Sequence, residues 1–242
     1  MTLTIFPLRG FPDVARGADL AELVAQCQVL EDGDVLVLAH KLVSKAEGRV
    51  VRLDALEPSE RARELAGSEG DPRYVEAILG EAVRIVRARG QLVIAETRHG
   101  FVCASAGVDA SNAPEPATLV LLPLDPDASA RTIRDRLREL TGRTVAVIVS
   151  DSFGRPWRQG TTDVAVGVAG LAPLLDLRGT RDAAGYELRS TQIAVADEIA
   201  GAAELVMGKT SGIPGAVVRG LTLGGDGSAR ELVMPPDRDL FR

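Results

Sequence analysis

The stretch TVAVIVSDSFGRPWRQG, at residues 144–160, runs from an apolar half into a polar and cationic half. Residues 145–149 are small, mostly β-branched and bounded by polar residues, which is typical of a buried strand. We therefore predict a buried strand that delivers Asp151 at its carboxyl end, followed by a loop with Arg155 and Arg158. Because ligands in mixed sheets tend to bind outside the carboxyl ends of strands, Asp151 is a candidate ligand-binding residue.

The rest of the chain mixes strand-like and helix-like patterns. Further apolar runs predict buried strands at residues 35–38, 92–95 and 216–218. Apolar residues at three- and four-residue spacing predict helices over residues 19–27, from Val75 to Val86, from Asp127 or Ser129 to Gly142, and over 191–207. This mixture indicates an α/β or α+β fold.

The composition bounds the class of protein. The 242 residues carry a formal net charge of −6, which argues against a protein whose main task is to neutralise nucleic-acid phosphates. Cys27 and Cys103 fit no metal-ligand or disulfide pattern, so both are interpreted as small buried hydrophobic residues. No apolar run is long enough to span a bilayer, and no leader pattern is visible. We therefore expect a cytoplasmic protein without nucleic-acid or membrane partners.

Two aspartates are candidates for binding a metal ion. Asp109 and Asn112 lie in a loop at residues 106–116 that also contains Gly and Pro. Asp and Asn are common in such loops because they form turns, so their presence there is not by itself a sign of metal binding. Beside Asp151, however, Asp109 would complete a pair of carboxylates from separate loops, with the Ser152 hydroxyl as a further oxygen. Such a set suits Mg²⁺ or Mn²⁺, which prefer oxygen ligands and bridge to substrate phosphates.

Two basic segments are candidates for binding phosphate. HKLVSKAEGR, at residues 40–49, places three basic residues in what we interpret as the loop after the first strand, where a lysine can reach a phosphate or simply be solvated. MGKTSGIP, at residues 207–214, has Ala203 where a P-loop needs glycine, and it follows a helical pattern rather than a strand. An ordinary P-loop is therefore excluded, while Lys209 and Thr210 remain candidates for cradling phosphate.

Arg155 and Arg158 flank the only tryptophan of the chain. Two arginines beside an aromatic residue fit either an interface patch or a grip on an anionic substrate. The sequence does not separate these two readings.

The tail from Leu223 onwards is rich in Gly, Pro and charged residues. Such a composition gains little from burial, so we predict a folded domain at residues 1–222 and a linker at residues 223–242 that leads towards a second domain. The alternative is a tail that packs as a closing strand on its own domain.

Seven segments in a fixed order resemble one family closely, the coenzyme F420:L-glutamate ligases. They are IFPLRGFPDV, EDGDVLVLAHKLVSKAEGR, AGVDASN, PLDPDASA, VIVSDSFGRPWRQG, ADEIAGAAELVMGK and AVVRG. They cover nearly all of residues 4–220, and the ordered set is far more specific than any one segment. One departure is His40, where family members often carry Ser. The long ending resembles actinobacterial bifunctional members, in which a nitroreductase-like domain follows.

The resemblance implies a reaction, an assembly and a set of contacts. It implies a GTP-dependent ligase of coenzyme F420 biosynthesis that adds L-glutamate through γ-linkages to F420-0 by way of an acyl phosphate, with Mg²⁺ or Mn²⁺ and also K⁺. It implies two intimate subdomains in an intertwined homodimer. Catalytic and metal-binding roles fall on Asp109 and Asp151, with Ser152 as a further metal ligand. Nucleotide contacts fall on Phe11, Pro12, Asp13, Val14, His40, Lys41, Lys45, Asn112, Met207, Gly208, Lys209, Thr210, Ser211, Gly212, Ile213 and Pro214.

Two other functions use the same residues. One is a GTP-binding regulatory or scaffold protein, and the other is a metal-dependent phosphohydrolase with water as the acceptor. A binding module could dispense with Asp109 or Asp151, so the presence of both favours an enzyme.

Overall fold

The chain is built around a five-stranded sheet with smaller sheets beside it. The computed structural model describes residues 2–240. The strands are β1 (Thr4–Pro7), β2 (Val35–Ala39), β3 (Val50–Arg52), β4 (Ala82–Arg89), β5 (Leu92–Thr97), β6 (Val102–Ala104), β7 (Thr118–Val120), β8 (Ala146–Arg155), β9 (Arg158–Ala169), β10 (Leu175–Asp176), β11 (Gln192–Ile193) and β12 (Gly215–Arg219). The helices are α1 (Leu20–Cys27), α2 (His40–Ala46), α3 (Glu60–Ala66), α4 (Pro72–Glu81), α5 (Pro126–Thr141) and α6 (Val195–Met207). The prediction of a mixed α/β fold is confirmed.

The five-stranded sheet has the strand order β1-β12-β2-β8-β9. β2 and β8 pair in parallel, whereas the other neighbours pair antiparallel. Residues 35–38 and 146–149 are all buried, because the central strands are covered on both faces. This explains why the sequence shows continuous apolar runs there rather than alternation. α5 packs on β8 and β9, while α6 packs on β9, β12 and β1.

A smaller hydrophobic core lies beside the three-stranded sheet β4-β5-β6. It is distinct from the main core around β2 and β8. Its buried members are Ala77, Ile78, Val93, Ala95, Ala106, Val108, Leu119 and Leu121. The segment that carries Asp109 is therefore anchored by its neighbour Val108 in this second core, while Asp151 belongs to the main sheet.

The strand predicted to end before a cationic loop is longer than expected. β8 continues through Asp151 to Arg155, and a turn at Pro156 and Trp157 leads directly into β9. Pro156 presets its own φ, and Trp157 takes a positive φ of 57°. The polar half of the opening segment is therefore one arm of a hairpin, because β9 pairs with its backbone. Asp151 lies within a strand rather than after one.

Two predictions differ from the structure in the type of element. Residues 40–46, predicted as a loop, form α2, because Leu42 and Val43 turn together into the main core. The helix predicted to reach Val86 ends at Glu81, and the chain continues as β4. There, pairing with β5 outweighs the helical spacing of the apolar residues.

Two further helices begin elsewhere than predicted. α5 begins at Pro126 after Asp125, whose carboxylate caps the first turn by accepting from the backbone N–H of Ala128. The end predicted at Gly142 is confirmed, with a left-handed φ of 70°. α6 begins only at Val195, because residues 192–193 pair with β10. None of the helices within residues 2–240 is long and apolar enough to cross a membrane.

The first part of the tail packs against the domain. Residues 229–232 form a 3₁₀ turn with a reciprocal cap between Ser228 and Glu231, and Ala229 is only 1% exposed. The Asp127 carboxylate accepts hydrogen bonds from the Ser228 hydroxyl at 2.5 Å and from the Ala229 N–H at 3.0 Å. This segment differs from the expected solvated linker. It buries the small Ala229 side chain, and the Ser228–Glu231 cap supplies hydrogen bonds to its backbone. The domain boundary and the further domain stay predictions.

Asp127 provides a test of how much the packed tail contributes to stability. Its carboxylate also accepts from the Val168 N–H of β9 at 2.8 Å, so it joins α5, β9 and the tail. Asp127→Ala leaves these donors unpaired and should lower the free energy of unfolding by about 3 kcal/mol, measured by urea denaturation. Asp135→Ala, on the exposed side of the same helix, should cost about 0.5 kcal/mol or less. Equal losses in the two variants would contradict the role of the Asp127 anchor.

Candidate functional site

The register of β2 and β8 brings His40 beside Asp151. In the parallel pair, Ala39 lies opposite Ser150, so the next residues along both strands meet at the same edge. His40 is the first residue of α2, and its Nε2 lies 3.4 Å from Asp151 Oδ1. Its Nδ1 lies 3.4 Å from the buried Ser44 hydroxyl. The two strands thus hold an imidazole and a carboxylate together in the interior.

Burial controls the charge of this pair. Burial lowers the pKa of His40, although the nearby Asp151 partly opposes this, so the ring is neutral at neutral pH. Burial likewise raises the pKa of Asp151, against the opposing effect of His40. The His40 Nε2 is buried and has no hydrogen-bond partner among residues 2–240. Asp151 Oδ1, 3.4 Å away, is the polar atom recorded beside this nitrogen, so the ring and the carboxylate are buried against each other.

Asp109 and Lys41 form the second half of the cluster. Lys41 Nζ lies 2.6 Å from Asp109 Oδ2 and 2.6 Å from the Ser111 hydroxyl. Backbone pairing of Asp109 with Val120 fixes the segment. Burial alone would raise the pKa of the Asp109 carboxyl, but hydrogen bonds from Lys41 and Ser111 outweigh it and hold the pKa below its ordinary value. Asp109 is therefore a carboxylate that already has a cation beside it.

Asp163 is a buried carboxylate next to the site that we did not predict from the sequence. Its carboxylate accepts from the Ser150 hydroxyl at 2.9 Å and from the Ser152 hydroxyl at 2.7 Å, and it is 5% exposed. Ser152 and Asp163 are cross-strand partners on β8 and β9, so they share the face opposite to that of Asp151. The only signal in the sequence is one aspartate directly before the small, apolar run at residues 164–169.

The predicted metal ligands are only partly brought together. Asp109 and Asp151 both act electrostatically on the buried His40, so both carboxylates lie near that ring. The Ser152 hydroxyl is engaged by Asp163, although its backbone N–H donates to Asp151 Oδ1 at 2.8 Å. Within residues 2–240, no three His, Cys, Asp or Glu side chains form a ready metal site. The two carboxylates fit a hard cation that takes its other oxygens from a substrate and water.

The predicted nucleotide segments gather around this cluster. The Asn112 side-chain amide donates to the Lys209 carbonyl at 3.4 Å, which links the Asp109 segment to the 207–214 loop. The Ala39 N–H donates to the Pro214 carbonyl at 2.9 Å, which ties the end of that loop to β2. Gly208 and Gly212 adopt positive φ values of 58° and 70° and allow the loop to turn. The loop therefore lies next to α2, which is necessary if both segments bind the same nucleotide.

The N-terminal segment also reaches α2. Phe11, Val14 and Ile213 pack against the main core. Burial lowers the pKa of Lys45, while the negative charge of Asp13 partly opposes this. The remaining predicted nucleotide contacts lie in the same two segments, residues 11–14 and 207–214, and their roles stay predictions.

Arg155 and Arg158 lie apart from this cluster. They face each other across the turn of the β8–β9 hairpin, and the Arg155 guanidinium donates to the Gln159 carbonyl at 3.2 Å. Because Asp151 lies four residues before Arg155 on an extended strand, the turn is roughly 13 Å away along β8. The interface role and the substrate-binding role of these arginines both stay predictions.

Known proteins resemble the chain along its whole length. The sequence profile of F420-0:gamma-glutamyl ligases matches residues 10–220. This chain belongs to the F420-0:gamma-glutamyl ligase family. It is 50% identical to the coenzyme F420:L-glutamate ligase of Methanopyrus kandleri, over 100% of this chain and 98% of that protein. The enzymes of the same name from Methanothermobacter thermautotrophicus and Archaeoglobus fulgidus are 45% and 44% identical, over all of this chain and 100% and 97% of those proteins.

Membership of the ligase family confirms the resemblance carried by the ordered motifs. These three relatives are archaeal proteins of nearly the same length as this chain. The likeness to bifunctional actinobacterial ligases stays a prediction.

The thiol reactivity of the two cysteines tests whether Cys103 is buried. Burial, and then the negative charge of Asp151, raise the pKa of the Cys103 thiol to about 12, whereas Cys27 is partly exposed. At pH 8 the thiolate fraction of Cys103 is then on the order of 10⁻⁴. We expect one fast-reacting thiol in the native protein with Ellman's reagent and two after denaturation. Cys27→Ser should remove the fast phase, and a fast phase that persists would refute the burial of Cys103.

Proposed function

We propose that the chain is a GTP-dependent ligase that joins L-glutamate to the carboxylate of coenzyme F420-0 through a γ-linked chain, in coenzyme F420 biosynthesis. The observation that carries the proposal is the meeting of Lys41, Asp109, His40 and Asp151 next to the glycine-bearing 207–214 loop. A ligase of this kind needs positive charge for phosphates and carboxylates for a cation, and no protein nucleophile. The names of the relatives support the choice of substrates.

The proposed reaction has two steps. A carboxylate oxygen of F420-0 attacks the γ-phosphorus of GTP, the bond from that phosphorus to the β,γ-bridging oxygen breaks, and GDP leaves. The amine of L-glutamate then attacks the acyl carbon, and the carbon–oxygen bond to phosphate breaks. The departing phosphate takes the amine proton, so the products are the amide, GDP and inorganic phosphate.

The chain's own side chains have distinct parts in this proposal. Lys41 neutralises charge beside Asp109 and presents donors towards a phosphate. The neutral His40 ring lies beside Asp151 and adds no charge there. Asp109 and Asp151 would hold Mg²⁺ or Mn²⁺, which when bound offsets the negative charge that develops on the transferred phosphoryl group. Asn112 and residues 207–214 line the side proposed for the nucleotide.

Asp151→Asn tests the proposed role of the carboxylates. The variant should fold normally but turn over at least 10³-fold more slowly, because it lacks one of the two charges that hold the cation. Product masses are read after incubation of F420-0, GTP and L-glutamate, and Asp135→Asn on α5 serves as the matched surface control. Turnover near that of the wild type in Asp151→Asn would contradict the assignment.

The same assay separates the alternatives. If the chain is the proposed ligase, phosphate should be released from GTP only when both F420-0 and L-glutamate are present. Phosphate release without them supports a phosphohydrolase, and GTP binding without any turnover supports a regulatory protein.

We also propose that the enzyme acts as a homodimer, with K⁺ as a further cation. One face of α6, including Ala200 and Ala203, packs in the chain's own core, while Leu205 is 81% exposed. Exposed apolar residues of this kind are available for a second copy. Sedimentation at micromolar concentration should therefore give a species of twice the 25.5 kDa chain mass. A single species at the chain mass would overturn the dimer.

A further inference from the structure

A mostly apolar cavity of about 540 Å³ lies beside the β8–β9 hairpin. Its walls come from the hairpin, from Val86 of β4, from residues 100–102, from Asp197 of α6 and from the tail at residues 232–234 and 238–240. Small-molecule sites have volumes of about 300–1,000 Å³ and are mostly apolar with a few polar groups, and this cavity fits that description. None of the residues predicted for the nucleotide or the metal lines it.

The cavity adjoins Asp151 through the pairing of β8 with β9. Val164, which lines the cavity, is the direct cross-strand partner of Asp151. Such partners project from the same face of the hairpin with Cβ atoms about 5 Å apart. Phe153, also in the wall, is two residues further along β8 and therefore on the same face as Asp151.

A neighbouring strand supports the same continuity. The Asp151 charge acts on the Cys103 thiol of β6, while Phe101, two residues earlier, lines the cavity. Two adjacent stretches of chain therefore each run from the carboxylate cluster into the cavity wall.

The lining suits a flat aromatic molecule. Phe101 and Phe153 meet edge to face with centroids 6.2 Å apart, and His99 stacks behind Phe101 at 5.6 Å. The Asp197 carboxylate accepts the Ala165 N–H at 2.9 Å at the cavity wall. A carboxylate there can also accept from the imide N–H at the edge of a deazaflavin ring, and aromatic rings bury such a surface well.

We propose that this cavity binds the deazaflavin ring of the acceptor substrate and directs its carboxylate towards Asp151. The tail forms one wall through Leu232, Val233 and Met234, so it belongs to the acceptor site. The inference rests on the proposed function for the identity of the acceptor. The position of the cavity one cross-strand pair from Asp151 is what selects it as the place for the ring.

Filling the cavity tests the inference. Val102 lines the cavity and is 40% exposed, so Val102→Trp should fit without disturbing the core and should weaken binding of 5-deazariboflavin at least 10-fold. This probe carries the ring without phosphate or carboxylate, and calorimetry on the full chain measures its binding. Val83→Trp, on β4 of the same small sheet but outside the cavity wall, is the matched control and should bind within twofold of wild type. GTP binding should stay within twofold in both variants.

A second variant keeps the inference testable if Val102→Trp does not fold. Phe153→Leu keeps an apolar side chain but removes the ring contact, and it should weaken binding of the probe at least threefold at an unchanged melting temperature. Equal binding by wild type, Val102→Trp and Phe153→Leu would overturn the cavity assignment. So would a wild-type chain that ligates glutamate to F420-0 without binding the ring probe. Ring binding that Val102→Trp abolishes, in a chain without ligase activity, would support the cavity and refute the proposed function.

Discussion

The parallel pairing of β2 with β8 is the constraint on which the candidate site depends. It places Ala39 opposite Ser150, so that α2 begins where β8 presents Asp151. A shift of this register by one residue would turn Asp151 to the other face of the sheet, because side chains alternate along a strand. The buried valines, leucines and isoleucine of both strands hold the register, since each such shift would also displace the apolar core. Stability of the sheet and geometry of the site therefore have the same cause.

The charges around this pair are arranged in layers. The innermost groups, His40 and Asp151, are buried and have pKa values shifted towards their neutral forms. Lys41 and Asp109, nearer the surface, remain an ion pair with a depressed Asp109 pKa. The anionic substrate that we propose would thus meet fixed charge first and a weakly charged interior behind it. A cation bound by both carboxylates would favour ionised Asp151, because its charge offsets the cost of burial.

Elements set by strong apolar patterns were predictable, and elements set by pairing were not. The strands at residues 35–38 and 216–218 follow from their apolar runs, and α1 follows from its spacing. The end of α4 was missed because Ala82 begins a strand only through its partner β5, which lies ten or more residues away. The length of β8 was missed for the same reason, since β9 supplies the hydrogen bonds that extend it beyond Val149.

The site shows a similar division. Asp109, Asp151 and the lysines of α2 could be named from residue type and motif order. The hydroxyl partners of Asp163 could not, because they depend on which face of the hairpin each residue occupies. The packed tail was missed because its composition resembles a linker, whereas its stability comes from the Asp127 anchor on α5. The composition of a segment indicates how much apolar surface it can bury. It does not show which hydrogen-bond acceptors the rest of the chain provides.

The position of the tail has a consequence for how this enzyme could diverge. Residues 233–240 lie outside every helix and strand of the sheet, yet several of them face the cavity next to the carboxylates. Substitutions there change the shape of the cavity without disturbing a strand register or a buried helix. If the cavity holds the acceptor as we propose, residues that shape acceptor preference lie in a segment without regular secondary structure. The tail is then where lineages with different acceptors should differ most.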